Sequence, residues 1–392
     1  MTRGGRGQWV TAHGHRASTS STGREIIRGV KASASSRARC RWVAPALLPV
    51  INLALALLLS AVVVVLIGES PTRALWLLAN GAVGNAEAVG YTLYYATNFV
   101  FTGLAVAVAF HGGLFNIGAE GQAYIGGLGV ALLCLGAGGW PTALVVAAAV
   151  VLAAAGGTAW AFVPAWLQAR RGSHIVITTI MFNFIASALM THLLVNVLIK
   201  PGQQSPETRE FDPNTWLPQL HDVARSLGWE IGRSPLNLSV LVALAAGAGV
   251  WIYLWHTRWG YELRALGHNE TAAVYGGILP ARTVIVAMSI SGALAGLMSL
   301  NEVMGVQHRL LLNFPGGAGY VGIAVALMGH NHPLGIGLAS VLFGALYQGG
   351  SELSFDMPNL TRDMVVVIQG LIILVCGALE HALRGPLEAF VR

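Results

Sequence analysis

The stretch "FHGGLFNIGAEGQAYIGG", residues 110–127, decides how this sequence folds. It combines a histidine, an asparagine, a glutamate, a glutamine and six glycines, and it lies among runs of mostly Ala, Val and Leu. Inside a membrane, backbone that leaves the helical path is tolerated only where protein or a water-filled cavity satisfies its polar groups. We therefore expect these residues to interrupt a membrane helix and to face a helix interface or a polar pathway.

The composition indicates a chain that lives mostly in lipid. Its 392 residues are 55% hydrophobic and 10% charged, whereas soluble domains carry roughly 25% charged residues. A helix needs about 20 largely apolar residues to cross a bilayer. Runs without Asp, Glu, Lys or Arg cover residues 42–68, 88–119, 121–169, 172–199, 234–257, 283–301 and 310–351. The alternating short segments of a membrane barrel are absent, so the sequence predicts an all-α polytopic membrane protein.

Turn signals divide the two longest runs, at "GAGGWP" (136–141) and "GHNHP" (329–333), and predict about ten transmembrane helices. Basic residues occur in the gaps after the fourth and sixth helices, which places these gaps and both termini in the cytoplasm. The predicted helices cover residues 43–67, 89–110, 113–135, 142–168, 174–199, 236–256, 283–303, 318–330, 333–349 and 363–383.

A second glycine-rich stretch, "LLLNFPGGAGYVG" (residues 310–322), precedes the short eighth helix. With the N-terminus in the cytoplasm, odd-numbered helices run outward and even-numbered helices run inward, so the third helix runs outward and the eighth runs inward. Interrupted segments in two opposite-facing halves are typical of inverted-repeat transporters with broken helices. The sequence therefore predicts an inverted repeat with one broken segment in each half.

Three segments lie outside the predicted helices. Residues 1–41 contain nine basic residues and one acid and are predicted to form a disordered cytoplasmic tail, before a transmembrane domain over residues 42–392. Their Arg and Ser content also resembles an organelle transit peptide, an alternative that the sequence leaves open. The loop 200–235 is predicted to be extracytoplasmic and serves either as a docking surface or as a plain connection.

Residues 257–278, "TRWGYELRALGHNETAAVYGGI", form the polar part of the predicted cytoplasmic segment 257–282. Leu263, Leu266 and Ala273 oppose Arg264 and Glu270, which predicts a short amphipathic helix. Asn269 is a candidate N-cap, because its side chain can accept a backbone N–H at a helix start. A connection alone rarely needs such structured polarity, so we expect a docking helix for a soluble partner.

Polar residues inside the predicted spans have two interpretations. Glu120 is costly when it faces lipid, so it either anchors backbone donors at the bend or belongs to a transport pathway. The same choice applies to Asn98, Asn183, Gln369, Asn301 and Glu302, for which interhelical hydrogen bonds are the alternative to substrate contacts.

Several chemistries are missing from the sequence. It contains two lysines, Lys31 and Lys200, and neither belongs to a GxxxxGK[ST] phosphate-binding loop. HExxH and GxSxG motifs are also absent. Its three cysteines, Cys40, Cys134 and Cys376, are too far apart for a metal-binding or redox motif. We expect no catalysis, no metal site and no ATP site in this chain.

Four stretches resemble one family, the permease subunits of bacterial ATP-binding-cassette (ABC) importers for nucleosides, relatives of ribose and galactose permeases. They are "GGLFNIGAEGQAYIGG" (112–127), "SHIVITTIMFNFIA" (173–186), "GYELRALGHNETAAVYGGI" (260–278) and "GIAVALMGHNHPLGIGLASVLFGALYQGG" (322–350). The resemblance implies a transport subunit of the bacterial cytoplasmic membrane. It also implies three kinds of partner: ATPase subunits that bind ATP, a second homologous permease and an extracytoplasmic substrate-binding lipoprotein.

The resemblance also suggests residues for two roles. Aromatic rings can stack on a base while amides read its edge. The candidates for the substrate pathway are Phe115, Asn116, Glu120, Gln122, Asn183, Asn301 and Phe314. The third stretch resembles the segment that rests on the ATPase. The candidates for ATPase coupling are Tyr261, Arg264, Gly267, Asn269, Glu270, Ala272 and Ala273.

A different class of transporter is the alternative. An ion-coupled secondary transporter would use Glu120 or Glu302 as a titrating site and would need no partner chains.

Overall fold

The computed structural model of the chain describes residues 51, 54–200, 202–226, 228–229 and 232–357, with positions 359, 364, 366–368, 370, 371, 374 and 375. The predicted tail 1–41 lies outside the described residues. So do the beginning of the first predicted helix and much of the tenth.

The described residues are helical, and their only β pairing consists of two isolated bridges, Glu207 with Leu311 and Gln219 with Asn237. The helices are α1 (Ala54–Leu66), α2 (Pro71–Val83), α3 (Ala86–His111), α4 (Ala119–Gly136), α5 (Thr142–Arg171), α6 (Ile175–Asn196), α7 (Leu220–Ser226), α8 (Ser239–His256), α9 (Arg258–His268), α10 (Glu270–Tyr275), α11 (Pro280–Ser299), α12 (Ala318–Met328) and α13 (Pro333–Asp356). A π-helical turn, Leu300–Gln307, continues α11.

Six of the described helices are long and apolar enough to cross a membrane, which confirms the polytopic helical prediction. They are α3, α5, α6, α8, α13 and the joint segment Pro280–Gln307. Two shorter apolar helices, α1 and α12, accompany them.

Helix α2 was not expected from the sequence, which predicted a connection over residues 68–88. Pro71 occupies the first helical turn, where its missing N–H costs nothing. Leu77 is buried, and the next residue, Leu78, packs its backbone carbonyl against Gly349 of α13. Arg73 and Asn80 interrupt the apolar pattern, which hid this helix from a search for long charge-free runs.

Helix α3 forms the centre of the bundle. Every residue from 101 to 109 is buried, so this helix is surrounded by protein along its inner half. Asn98 contacts Asn301, and the carbonyl of Ala105 accepts a hydrogen bond from Ser291. From the first pair to the second, the residue numbers rise on α3 and fall on the segment formed by α11 and the π-helical turn. The two helices are therefore antiparallel.

Helix α4 runs in the same direction as α11. Asn116, just before α4, bonds to Ser291, and Gly127 lies next to Ser299. Both sets of residue numbers rise together, so α4 is parallel to α11 and antiparallel to α3.

Helix α12 runs in the same direction as α3. Gly322 lies against Thr102. The backbone carbonyl of Asn331, just after α12, is hydrogen-bonded to Nε2 of His111 at the end of α3. It follows that α4 and α12 point in opposite directions.

Helices α5 and α11 approach until their backbones touch. A Cβ atom added at Gly157 would overlap the carbonyl oxygen of Gly292, and one added at Gly292 would overlap the carbonyl oxygen of Gly157. Such close crossings are typical of membrane helices, which associate by packing rather than by excluding water.

Candidate functional site

The predicted interruption lies between α3 and α4. Helix α3 ends at His111, and Gly113 adopts a left-handed conformation with φ of 71°. The N–H of Leu114 returns to the carbonyl of Ala109 at 3.0 Å, which closes the helix end. Helix α4 begins only at Ala119, six residues later than the predicted start at 113, because residues 114–118 remain non-helical.

Asn116 organises this interruption. Its amide donates to Gln122 Oε1 at 3.0 Å and to Ser291 Oγ at 2.8 Å, and its Oδ1 accepts from the N–H of Gly118 at 2.8 Å. Asn116 and Gln122 are almost completely buried, at 0% and 1% exposed. Two of the predicted pathway residues therefore bond to each other inside the chain.

Glu120 joins the two interrupted regions. Its Oε1 accepts from the N–H of Gly317 and its Oε2 from the N–H of Gly319, both at 2.8 Å. Gly317 is the N-cap of α12, and Glu120 lies in the first turn of α4. The first N–H groups of a helix lack partners within that helix and carry a partial positive charge, which a carboxylate offsets. One buried side chain thus serves two helix starts.

Asn183 of α6 contacts the same place. Its Oδ1 accepts from the N–H of Gly121 at 2.9 Å, and its amide donates to the carbonyl of Ile117 at 2.9 Å and to Tyr320 Oη at 3.2 Å. Asn183 is buried, while Tyr320, in the first turn of α12, is 49% exposed. Tyr320 is not among the residues predicted from the sequence, because a tyrosine at an interface has no distinguishing local pattern.

Asn301 is the centre of a second buried network. Its amide donates to Asn98 Oδ1 at 2.8 Å and to the carbonyl of Tyr94 at 3.0 Å. Its Oδ1 accepts from Asn237 Nδ2 at 2.8 Å and from Ser239 Oγ at 2.9 Å. The network ties α3, the start of α8 and the π-helical turn together.

Glu302 belongs to the same network. Its Oε1 accepts from Tyr94 Oη and from Asn98 Nδ2, both at 2.6 Å. Sequence reasoning identified Asn98, Asn301 and Glu302 but missed Tyr94. The signal was available, because Tyr94 and Asn98 are four residues apart and therefore share one face of α3.

The two aromatic candidates lie in separate places. The Phe115 ring is half-buried and meets the Phe110 ring edge-on at 5.4 Å. Phe314 is buried, with its ring 5.5 Å from that of Tyr124, whose hydroxyl donates to Asn313. The structure does not bring Phe115 and Phe314 together around a common cavity.

The segment predicted to be cytoplasmic, residues 257–278, forms two helices, α9 and α10, rather than the single one expected. The division falls at Asn269, whose side chain accepts from the N–H of Ala272 at 3.0 Å, so the predicted N-cap is confirmed. Leu263, Leu266 and Ala273 are buried, which confirms the amphipathic pattern.

The coupling candidates differ in exposure. Ala273 faces the interior and Arg264 is half-buried, with its Nε enclosed and unpartnered. The other five candidates are exposed, namely Tyr261, Gly267, Asn269, Glu270 and Ala272. A shallow cavity beside this segment is lined by Tyr253, Trp259, Glu262, Arg282, Thr283 and Val286, and none of the seven pathway candidates reaches it. Within the described part of the chain, no group of three or more His, Cys, Asp or Glu side chains could hold a metal ion.

Comparison with known proteins identifies relatives over most of the chain. Residues 88–376 match the family described as "Branched-chain amino acid transport system / permease component". The guanosine ABC transporter permease protein NupP of Bacillus subtilis is 34% identical over 343 residues, covering 86% of this chain and 94% of the relative. The nucleoside ABC transporter permease protein NupB of Lactococcus lactis is 31% identical, covering 83% and 89%.

A third relative has a different named substrate. The glucose ABC transporter permease protein TsgB13 of Haloferax volcanii is 30% identical over 336 residues, covering 83% of this chain and 85% of the relative. No solved structure matches the chain.

Proposed function

We propose that this chain, which belongs to the family of ABC transporter permeases, carries nucleosides or related small solutes across the cytoplasmic membrane into the cell. As a member of this family it is a multi-pass transport subunit rather than an enzyme. The observation that carries the choice of substrate is the similarity to a guanosine and a nucleoside permease over 86% and 83% of this chain. The glucose permease, which is nearly as similar, makes sugars the substrates to test against.

Partner subunits complete the proposed importer. Separate ATPase subunits bind and hydrolyse ATP, a second permease pairs with this one, and an extracytoplasmic lipoprotein delivers the solute. Relatives named as permeases of one guanosine system, NupP and NupQ of Bacillus subtilis, support a pair of different permeases. In this arrangement, residues 257–282 contact the ATPase, and the loop 200–235 lies on the outer side.

The proposed topology has ten spans, both termini in the cytoplasm and an inverted repeat. Arg170 and Arg171 follow the apolar part of α5, and Arg258 and Arg282 flank the segment after α8, as expected of cytoplasmic ends. The opposite directions of α4 and α12, which both begin after an interruption, support the inverted repeat.

The proposed substrate pathway lies between the two permeases. The polar pathway candidates are hydrogen-bonded within this chain, so few of their donors and acceptors remain for a solute. Asn183 is the best placed of them, because its amide bonds to the exposed Tyr320. Met181 and Phe184 of α6 are exposed on the neighbouring surface and provide apolar contact. We expect the buried candidates to shape this surface and Asn183 with Tyr320 to border the pathway.

The ion-coupled alternative has no support among the relatives cited, which are named as ABC transporter permeases or import permeases. Glu120 and Glu302, its candidate titrating residues, are both occupied by hydrogen bonds.

Transport in liposomes tests the proposal. The chain is reconstituted with the proposed ATPase, second permease and lipoprotein from the same organism, and the uptake of labelled guanosine, ribose and glucose is measured with ATP inside the vesicles. We expect nucleoside uptake that stops when the phosphate-binding lysine of the ATPase is replaced. Uptake of glucose alone would refute the substrate, and uptake by the isolated chain on an ion gradient would refute the mechanism.

A further inference from the structure

Helix α9 touches the interruption between α3 and α4 directly. A Cβ atom added at Gly267 would overlap the carbonyl oxygen of His111 and would lie 3.0 Å from the carbonyl carbon of Gly112 and the nitrogen of Gly113. The contact joins two backbones, with no side chain between them. A side chain at position 267 therefore cannot be accommodated unless α9 or the interruption moves.

A second contact lies one turn earlier on α9. Leu263 is completely buried, and its Cδ1 lies 2.5 Å from the place that a Cβ atom would take at Gly112. Residues four positions apart share a helix face, so Leu263 and the Cβ side of Gly267, which is otherwise exposed, form one surface of α9. This surface rests on residues 111–113.

The other side of the cytoplasmic segment is available to a partner. Tyr261 is 63% exposed on α9, and Tyr275 is 89% exposed at the end of α10. Large exposed aromatic side chains are typical of protein interfaces. The same short segment therefore presents one surface outward and presses the opposite surface against the interruption.

From the interruption, short contacts lead to both helix starts. Asn116 bonds to Gly118 and Gln122 on the path into α4, and Glu120 bonds to Gly317 and Gly319 at the start of α12. Each step is a backbone connection or a buried hydrogen bond. Because packed elements of this kind move as units, a displacement of residues 111–113 acts on α4 and α12 together.

We propose that Gly267 is a positioning residue for ATP-driven transport: through its backbone contact with residues 111–113, a movement of α9 reaches the paired starts of α4 and α12. This inference rests on the proposed function, since it requires an ATPase that moves α9. It adds that the force enters the membrane domain at the interruption, through Gly267 and Leu263.

The variant Gly267→Ala tests this contact in the complete reconstituted complex. The readouts are ATP hydrolysis and solute uptake, combined as uptake per ATP. We expect the complex to assemble and hydrolyse ATP, with uptake per ATP reduced roughly two- to thirtyfold. The control is Gly249→Ala in α8, where an added Cβ meets nothing within 4 Å and the ratio should stay at the wild-type value.

Leu263→Ala covers the case in which Gly267→Ala does not assemble, because this truncation introduces no overlap. It should also lower uptake per ATP. The proposal is overturned if neither variant lowers the ratio.

A labelling experiment separates this inference from the choice of substrate. Tyr320→Cys, in a chain whose three native cysteines are replaced by serine, reports on the start of α12 through its rate of reaction with a maleimide. ATP should change this rate in the parent complex, and Gly267→Ala should abolish most of the change. An unchanged ATP response in Gly267→Ala would refute the role of Gly267 even if the transported solute is not a nucleoside. A failure of guanosine uptake by the complex with its native Tyr320, together with an intact labelling pattern in the Tyr320→Cys complex, would refute only the substrate.

Discussion

Glu120 Oε2 accepts a hydrogen bond from the backbone N–H of Gly319 at 2.8 Å, across 199 positions of sequence. The other oxygen of the same carboxylate accepts from Gly317. Because α4 and α12 begin here and point in opposite directions, their positive ends meet at this carboxylate. The carboxylate satisfies two N–H groups at the start of α12, and Asn183 Oδ1 accepts from the N–H of Gly121 in the first turn of α4. Both interrupted helices therefore start inside the protein with bonded N–H groups.

The first prediction concerns this carboxylate. In Glu120→Gln, an amide nitrogen replaces one acceptor oxygen, so one backbone N–H faces another donor. We expect a loss of about 1–3 kcal/mol, the usual cost of an unsatisfied buried donor, seen as a lower midpoint of thermal unfolding in detergent. The matched control is Glu352→Gln, because the bond that Glu352 accepts within the described residues comes from Gln348 of its own helix. An unfolding midpoint equal to that of the wild type would show that Glu120 does not anchor α12.

The second prediction concerns the Asn301 network. Asn301→Ala removes one side-chain partner from each of Asn98, Asn237 and Ser239, and it leaves the buried Asn98 Oδ1 and Ser239 Oγ without the bonds they make to Asn301. The loss should exceed that of Glu120→Gln, since each such group costs about 1–3 kcal/mol. Asn196→Ala is the control, because that amide is exposed and bonds to its own helix at His192. Equal midpoints for the two alanine variants would contradict this role.

The sequence predicted the interruptions because their signals are local. Glycines and polar residues in residues 110–127 stand out against charge-free runs, and the short eighth helix, expected over 318–330, is observed as Ala318–Met328. The N-cap at Asn269 was predictable for the same reason. Helix α2 was not, because Arg73 and Asn80 interrupt the long apolar run by which the other helices were recognised. The π-helical turn was not either, because it continues an apolar helix without a local signal.

The partners of the polar residues could not be predicted. Glu120 and Asn183 must either bond to other groups of the protein or face water. The same side chains suit both situations, so their identity does not distinguish a structural bond from a place in the pathway. The choice depends on contacts between residues about 200 positions apart, such as Glu120 with Gly317, for which one sequence contains no local signal. The structure shows bonds within the chain, and this is why we assign the pathway to the surface near Tyr320.

The third prediction tests the backbone contact between α5 and α11. In Gly292→Ala, the new methyl group would overlap the carbonyl oxygen of Gly157, so the two helices must separate. We expect a lower unfolding midpoint, although alanine by itself favours a helix over glycine by about 1 kcal/mol. In Gly249→Ala the methyl group enters open space, so that variant should be as stable as the wild type or more stable. Equal stability of the two variants would show that α5 and α11 tolerate a wider separation.

The fourth prediction concerns the attachment of the loop 200–235. The Trp216 ring stacks on the His308 ring at 3.9 Å with an angle of 9°, and the N–H of Phe211 bonds to the carbonyl of His308 at 2.8 Å. Burial lowers the pKa of His308 below its ordinary value, and Arg309 acts in the same direction, while Glu210 opposes them. The neutral ring is therefore the form that the folded loop favours.

Acid should loosen this attachment. The folded-state pKa of His308 is depressed, so the neutral ring contributes fully to the stability of the folded loop above the ordinary pKa near 6.5. This contribution to stability is lost as the pH falls through the folded-state pKa. We expect hydrogen exchange at the amides of Phe211 and Leu217, corrected for intrinsic rates, to accelerate between about pH 7.5 and pH 5. His308→Phe retains an aromatic ring but cannot be protonated, so its protection should not change over this range. If the wild type and His308→Phe respond equally to acid, another group controls the loop, because His308 is the one titrating group that the two proteins do not share.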